Sequence, residues 1–505
     1  MQPDEQGKGN WLDRMIGYFA PETAVRRAAA RELLGQFRAA DVTTLRADWL
    51  FSDGAGQTPS GYELSALRER SRDAVRNDAV AAGVMETYGT NVIGTGLRPQ
   101  SRMRADVLGM APEAVKVLQR QAEAAWAVFS KMASADNRLT MDELQFLALC
   151  KVIEDGEAIA IPTWADEPWR PFGRCVELLE SERLVQPRDG AGKKDIQNGI
   201  RFGRRGQPLA YFIKQPGATM ASNEVPAFDR QGRPMVLHIF PTKRPGQQRG
   251  IPVLAPVLVK LRDLSKFQEA TLVTARVAAC LAVFITQQNQ FSNFGTETTD
   301  SSGTAFSEIS PGMVARLKSG EGINVVQPNQ PGDNYVGYVE SLLRLVGVAL
   351  GLPYELILKD FSKTNYSSAR AALLEGRRVF IRWRKWMADK FCQPIWELVL
   401  EEAFLRGTFA APDFYRFKHE YCRALWVGGS WGWVDPVKEV QASRLAIDYG
   451  LSTLAEESAA QGRDWEETLD QIEREQVYKP KVRIDRAAKA DPNEGKQDNE
   501  RSEEK

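Results

Sequence analysis

The segment Gly428-Gly429-Ser430-Trp431-Gly432 has the GxSxG spacing that holds a nucleophilic serine on a sharp strand-to-helix turn in many hydrolases. That arrangement needs a helix directly after the serine and a histidine later in the chain. Residues 433–435 instead separate Ser430 from the next predicted helix, and both histidines, His238 and His419, precede it. We therefore expect no catalytic residue and no enzymatic activity, and a serine hydrolase using Ser430 is the alternative hypothesis.

Three further patterns could bind a phosphate, a metal ion or a dinucleotide, and each is incomplete. Residues 190–194 resemble a phosphate-binding loop, but Pro187 stands where the first glycine is needed, so a hairpin turn is predicted. His419 and Cys422 are three residues apart, yet a metal site would need two more ligands to converge on them. Residues 94–96 lack the third glycine of a dinucleotide fingerprint. We expect neither a metal nor a cofactor.

Aromatic residues repeat between positions 380 and 396, next to a run of arginine and lysine at 377–385. The aromatic residues are Phe380, Trp383, Trp386, Phe391 and Trp396. Such a composition could stack nucleic-acid bases, but helical spacing favours packing in a core or a subunit interface. The basic run is interpreted as a solvated or interfacial face.

The chain has 505 residues, more than one hydrophobic core usually serves, so several structural regions are expected. Lysine plus arginine and aspartate plus glutamate number 66 each, so no overall field attracts nucleic acid or an anionic membrane. The five cysteines are widely spaced and suggest no disulfide framework. No secretory signal is apparent, and residues 277–296 are too polar to span a bilayer.

Helical periodicity is strong in the first half of the chain, over residues 62–88, 112–132 and 141–154. Thr140 and Glu143 have capping-box spacing at the start of the third segment. Short alternating runs broken by Gly and Pro then predict strands between residues 159 and 240. A continuous helix of 32 residues is predicted over 253–284, and its mixed charges favour neighbours on more than one side.

The second half begins with an irregular region, 286–333, which predicts at least one long loop. Helices are predicted over 335–350, over 368–406 with a kink at Pro394, from Pro436 to Gly450, and from Asp464 to about 477. The hydroxyl of Ser367 is the predicted N-cap of the second of these helices. Together the elements predict an α+β fold that is mainly helical.

Several segments, in the same order along the chain, resemble the portal proteins of lambda-like tailed bacteriophages. They are residues 70–77, 91–97, 157–158, 178–184, 238–240, 244–247, 249–252, 351–355, 360–370 and 433–439. The run 360–370 carries the resemblance most clearly, through Asp360, Phe361, Asn365, Tyr366, Ser367, Ser368 and Arg370. Because this run lies just before a predicted helix, we interpret it as a structural hinge without chemistry.

The resemblance, which covers about residues 62–475, implies a portal fold with wing, stem, clip and crown regions that assembles as a ring. Residues 1–60 would be an N-terminal arm, 61–184 and 287–433 the wing, 185–250 the β-rich clip, 251–286 the stem helix and 434–478 the crown. Residues 300–333 would supply a channel loop and 479–505 a disordered tail.

The resemblance also implies a homo-oligomer, a dodecamer, at a unique capsid vertex of the virion, assembled in the host cytoplasm. Double-stranded DNA would pass through it during packaging and ejection. The implied protein partners are the terminase large subunit, the major capsid protein, a scaffold and head-tail connector proteins. Candidate DNA-channel residues are Lys260, Arg262, Lys266, Arg316, Lys318 and Glu321. Ordinary exposed charge or pairing between subunits is the alternative for each.

Overall fold

The computed structural model describes residues 61–187, 195–215, 222–279 and 335–476, and the backbone of four short strands between 283 and 325. The predicted N-terminal arm, the predicted turn at 190–194, most of the predicted channel loop and the predicted tail lie outside the described residues. No helix within the described part of the chain is long and apolar enough to cross a membrane.

Helices dominate the described residues. In chain order they are α1 (Gly61–Asn77), α2 (Ala79–Tyr88), α3 (Ala105–Leu108), α4 (Pro112–Ser130), α5 (Met141–Asp155), α6 (Leu258–Ala279), α7 (Tyr335–Leu350), α8 (Tyr354–Leu358), α9 (Tyr366–Met387), α10 (Gln393–Leu405), α11 (Lys418–Tyr421), α12 (Pro436–Asp448), α13 (Leu454–Ala460) and α14 (Trp465–Gln476). Short π-helices occupy Gly89–Ile93 and Ala388–Cys392. The mainly helical α+β fold is confirmed.

The strands form small antiparallel sheets. They are β1 (Arg98–Ser101), β2 (Ala158–Trp164), β3 (Arg174–Leu179), β4 (Ile196–Gln197), β5 (Ile200–Phe202), β6 (Pro208–Lys214), β7 (Ser222–Pro226), β8 (Leu237–Ile239), β9 (Val283–Gln287), β10 (Thr298–Thr299), β11 (Ala305–Phe306), β12 (Glu321–Val325) and β13 (Ala424–Val427). The larger sheets have the orders β3-β2-β8 and β4-β5-β6-β7, and the pairs are β1-β13, β9-β12 and β10-β11. The strands predicted between residues 159 and 240 are confirmed.

The main core lies between the N-terminal helices and the α9 to α10 segment. Phe380 and Trp383 each meet the Tyr88 ring edge-on, with centroids 5.9 Å apart. Trp396 is fully buried and packs edge-on against Trp126 at 5.8 Å. The prediction that the aromatic repeat packs in a core is confirmed.

Several predicted helix boundaries need correction. The helix predicted over 253–284 is α6, with 22 residues and a length of about 33 Å. It starts later because residues 253–257 form turns, in which the Val253 amide donates to the Ile153 carbonyl. Residues 283–284 belong to β9 instead, which pairs with β12.

Two other predicted helices are interrupted. Asp78 separates α1 from α2, because its carboxylate accepts the Val80 and Ala81 amides at 2.9 Å as an N-cap. The helix predicted over 368–406 is α9, a π-helical turn and α10. The π-helical turn ends just before Pro394, which lacks the amide that would continue the α-helical pattern.

Candidate functional site

Three of the candidates for DNA contact lie on α6. Arg262 and Lys266 are exposed and four residues apart, so they lie on one face of the helix. Lys260 is half-buried and lies about 200° around the helix from Arg262. The structure therefore brings two of the three lysine and arginine candidates on α6 together and separates the third from them.

The remaining channel candidates belong to the region after α6. Glu321 begins β12, where it pairs with Gln287 of β9. Arg316 and Lys318 lie outside the described residues. The half-buried side of α6 packs on α7, where Phe267 stacks on Tyr335 at 5.5 Å.

The family run 360–370 forms a compact turn and the first residues of α9. The Asp360 carboxylate accepts the Ser362 amide at 2.9 Å. The N-cap of α9 is Asn365, whose side-chain oxygen accepts the Ser368 amide at 2.8 Å. The prediction that Ser367 is the N-cap is wrong, since its hydroxyl donates to Asn365 at 2.8 Å from within the first turn. An amide side chain two residues earlier competes for the same backbone donor and has the required extended backbone.

Side chains of this run reach two other elements. Lys363 forms an ion pair with Glu340 of α7, which also binds Arg344 at 3.1 Å. The hydrogen bond from Lys363 lowers the pKa of Glu340. At the other end, Tyr366 lies near Asp435, the N-cap of α12. The run therefore lies at the junction of α7, α9 and α12.

A buried network of charged residues joins segments that are far apart in the sequence. Its centre is Glu157, which is 1% exposed and precedes β2. Arg249 donates to both Glu157 oxygens, with contacts of 2.5 to 3.0 Å. Arg68 of α1 forms an ion pair with Glu157 at 2.8 Å, and the Gly250 amide donates to it at the same distance.

A second carboxylate extends the network to the edge of the molecule. Arg72 binds Asp155 through two parallel contacts of 2.7 and 2.8 Å, and it also pairs with Glu182. The Ser181 hydroxyl donates to Asp155 at 3.1 Å. The network therefore ties α1, α5, β2, the turn after β3 and the segment that leads into α6.

Burial and the two arginines act in opposite directions on Glu157. Burial alone would raise the pKa of Glu157, but the guanidinium groups of Arg249 and Arg68 hold it well below its usual value. His238 contacts Glu157 at 3.0 Å, and burial lowers the pKa of the imidazole despite that contact. The network therefore contains an ionised carboxylate, charged guanidinium groups and a neutral imidazole at neutral pH.

The backbones beside Glu157 approach so closely that only glycine fits. Gly156 has a φ of +89°, and a Cβ there would lie 2.2 Å from the Ile251 carbonyl carbon. A Cβ at Gly250 would lie 2.1 Å from the Gly156 carbonyl oxygen. This contact brings the Arg249 segment close enough to reach Glu157.

Sequence reasoning did not identify this network, although its signal was present. Most of its residues lie in the segments that carried the family resemblance, such as Arg72, Glu157, Ser181, His238 and Arg249. The available signal was at Glu157 and His238, which lie next to and within apolar runs, since buried charges are normally paired.

The loop that contains Ser430 serves a structural role in the described chain. Arg384 of α9 donates to the Gly429 and Val92 carbonyls at 3.1 and 3.0 Å and lies 4.1 Å from the Trp431 ring centre. Burial lowers the pKa of Arg384 to about 10, so this member of the basic run is not on a solvated face. No helix directly follows Ser430, because α12 begins at Pro436. Among the described residues no cluster of possible metal ligands occurs.

A cleft of about 880 Å³ lies between α14 and the wall formed by α4 and β1. Glu123 lines it and accepts the Ser101 amide at 2.7 Å. Burial, together with nearby Asp464, Glu467 and Glu466, raises the pKa of Glu123 to about 7.

Comparison with known proteins places these features in a family. Residues 43–384 match the family described as phage portal protein, lambda family. The chain is 26% identical to the portal protein of Escherichia phage N15 over 440 residues, covering 81% of this chain and 83% of that protein. It is 25% identical to portal protein B of Escherichia phage lambda over 444 residues, covering 80% and 82%.

Solved structures similar to this chain include an HK97 family phage portal protein from Corynebacterium diphtheriae, with 14% identity and a TM-score of 0.31 over 60% of this chain and 83% of that one. A chain of the virion of a native gene transfer agent particle is 16% identical, with a TM-score of 0.36 over 75% and 99%. The family assignment rests on the sequence matches, which span more than half of the chain. The chain belongs to the lambda family of phage portal proteins.

Proposed function

We propose that this portal protein forms the ring at a unique capsid vertex of the virion and acts there as a conduit for DNA during packaging and ejection. The ring, a dodecamer, nucleates capsid assembly in the host cytoplasm, docks the terminase large subunit and contacts the major capsid protein, a scaffold and head-tail connector proteins. The protein is structural and not an enzyme. Family membership over residues 43–384 supports this proposal.

The observation that carries the proposal is the exposure of α6. Beyond Leu264, its described side chains are exposed except for a half-buried face at Phe267, Thr271, Thr274 and Ala275, which faces α7. A helix with so little intramolecular burial needs neighbours on both sides, and a ring of identical subunits supplies two. We assign α6 to the stem, residues 61–184 and 287–433 to the wing, 185–250 to the clip and 434–478 to the crown.

The charges of α6 suit a conduit for DNA. The helix carries four basic and two acidic residues, so passing DNA meets a modest field. Because each neutralised phosphate adds salt-dependent affinity, a strongly basic wall would retard a sliding duplex. We assign DNA contact to Arg262 and Lys266, and also to Arg316, Lys318 and Glu321 in the channel loop.

Negative-stain microscopy and light scattering of the purified chain test the ring, and a monomer at micromolar concentration would contradict it. The channel assignment is tested by an Arg262→Glu/Lys266→Glu variant, which we expect to form rings but to package or retain less DNA. Lys260→Glu is the matched control, because Lys260 lies on the other side of α6. Normal DNA-filled heads from the double variant would remove both residues from the channel.

A further inference from the structure

One face of α9 is exposed although it is partly apolar. Leu374 is 44% exposed and Ile381 is 53% exposed. Together with Arg378 and Lys385 they recur at intervals of three and four residues, so the four side chains share one face of the helix. The opposite face holds Phe380 and Trp383 and lies in the core.

This face carries more basic than acidic charge. The helix contains six basic residues and one acidic residue. Arg384 turns inward, but Arg382 is exposed and has no carboxylate partner among the residues that the structure describes. The pairs Arg378–Glu375 and Lys385–Asp389 are exposed, and such pairs hold their partners weakly. We call this face, with Leu374, Arg378, Ile381, Arg382 and Lys385, the basic stripe.

The last described helix has the opposite charge. α14 contains five acidic residues and one basic residue. One side of it faces the cleft. Asp470, which does not line the cleft, pairs with Arg120 of α4 at 3.3 Å. Glu466, Leu469 and Glu473 recur at intervals of three and four and do not line the cleft. Glu473 is exposed and Leu469 is 43% exposed, whereas Glu466, at the start of the helix, is half-buried.

We propose that the basic stripe of α9 binds the acidic outer face of α14 from an adjacent copy of the chain. Both faces are amphipathic. Apolar side chains lie between basic residues on α9 and between acidic residues on α14. Leu374 and Ile381 favour a protein helix over DNA, whose phosphates offer them nothing to pack against. Two different faces on identical subunits form a head-to-tail contact, which is the kind that closes a ring.

This inference rests on the proposed ring and assigns a crown-to-wing contact to it. The contact would hold the crown of one subunit on the wing of the next. It also accounts for the absence of buried residues in α12, α13 and α14 within one described subunit, since the neighbour would supply part of their burial.

Charge reversal with rescue tests the contact. Arg378→Glu/Arg382→Glu should raise the protein concentration needed for half-maximal ring formation on the order of tenfold or more, because like charges then face each other. Glu466→Arg/Glu473→Arg should do the same. Combining the four substitutions in one chain should restore assembly. Arg204→Glu/Arg205→Glu, which reverses two exposed arginines near β5, is the matched control.

The outcomes identify what binds the basic stripe. Rescue by the fourfold variant supports the contact between copies. Normal ring formation by the α9 variant overturns it, and if heads then fail to form, the stripe binds an acidic helix of another protein instead. Impaired assembly without rescue also overturns the assignment to α14. A wild-type chain that remains monomeric would overturn the proposed ring, whereas equal assembly of wild type and variant would overturn this contact alone.

Discussion

Removing the charge of Glu157 should destabilise the fold more than any other single neutralisation of a carboxylate in the described chain. Glu157→Gln keeps the shape of the side chain but leaves Arg68 and Arg249 buried without their counter-ion. Breaking a buried ion pair by removing one partner typically costs about 3 to 5 kcal/mol, since the remaining charge stays desolvated. At about 2 to 4 °C per kcal/mol for a region of this size, the thermal midpoint should fall by roughly 6 to 20 °C.

The assay is thermal unfolding followed by tryptophan fluorescence, with each variant at one protein concentration and in one oligomeric state. Asp448→Asn is the control. It neutralises one carboxylate of an exposed pair, Arg444–Asp448, whose side chains are 82% and 60% exposed and 3.6 Å apart. Surface pairs of this kind contribute little, so the control should unfold near the wild-type temperature. Equal midpoints for the two variants would refute the argument that burial makes the Glu157 pairs strong.

The same network sets a direction for acid unfolding. The pKa of Glu157 is lowered in the folded state, so the unfolded chain binds its proton first. The stabilisation is complete above the pKa of an unfolded glutamate, about 4.3, and it is lost as the pH falls through the folded value. Below about pH 4, the stability of wild type should therefore fall with pH more steeply than the stability of Glu157→Gln.

Three further substitutions test the burial of His238, the burial of Glu123 and the N-cap of α9. Burial lowers the pKa of His238, so below about pH 6.5 the unfolded chain binds a proton that the folded chain does not. The free energy of unfolding should then fall by up to about 1.4 kcal/mol for each pH unit. His238→Gln should remove this slope in thermal midpoints measured from pH 7 to 5. The pKa of Glu123 is raised to about 7, which makes the folded form bind the proton more tightly, so Glu123→Gln should raise the thermal midpoint at pH 8 and leave it almost unchanged at pH 5. Asn365→Ala should cost about 1 kcal/mol in chemical unfolding, whereas Ser367→Ala should cost much less, and equal losses would restore Ser367 as the cap of α9.

Much of the helical architecture could be predicted because it follows from local patterns. α5 and its capping box, α7 with its end at Gly351, and α12 with its Asp435 cap lie where hydrophobic periodicity and cap residues place them. The boundaries of α6 could not be predicted, because the apolar residues 253–257 pack in turns against α5 and residues 283–287 pair with a strand distant in sequence. Tertiary contacts decide such segments, and periodicity alone does not report them.

The candidate site was predicted less well. Charge alone grouped Lys260 with Arg262 and Lys266, but side-chain direction along a helix separates Lys260 from the other two. Arg384 belonged to a basic run interpreted as a solvated or interfacial face, yet the carbonyls of Val92 in the first π-helix and of Gly429 hold it inside. Sequence shows that a residue is charged, but the three-dimensional neighbours decide whether it is solvated.

The residues that carry the family resemblance and those proposed to meet DNA have different physical tasks. Apolar contacts between α1, α5 and the strands would tolerate small shifts, whereas the network around Glu157 is satisfied only when Arg68 and Arg249 arrive in a fixed geometry. Arg249 lies nine residues before the start of α6, so this geometry also holds the segment that leads into α6 against α1 and α5. The buried network thus helps to place α6, the helix that carries Arg262 and Lys266, although none of its members needs to touch DNA.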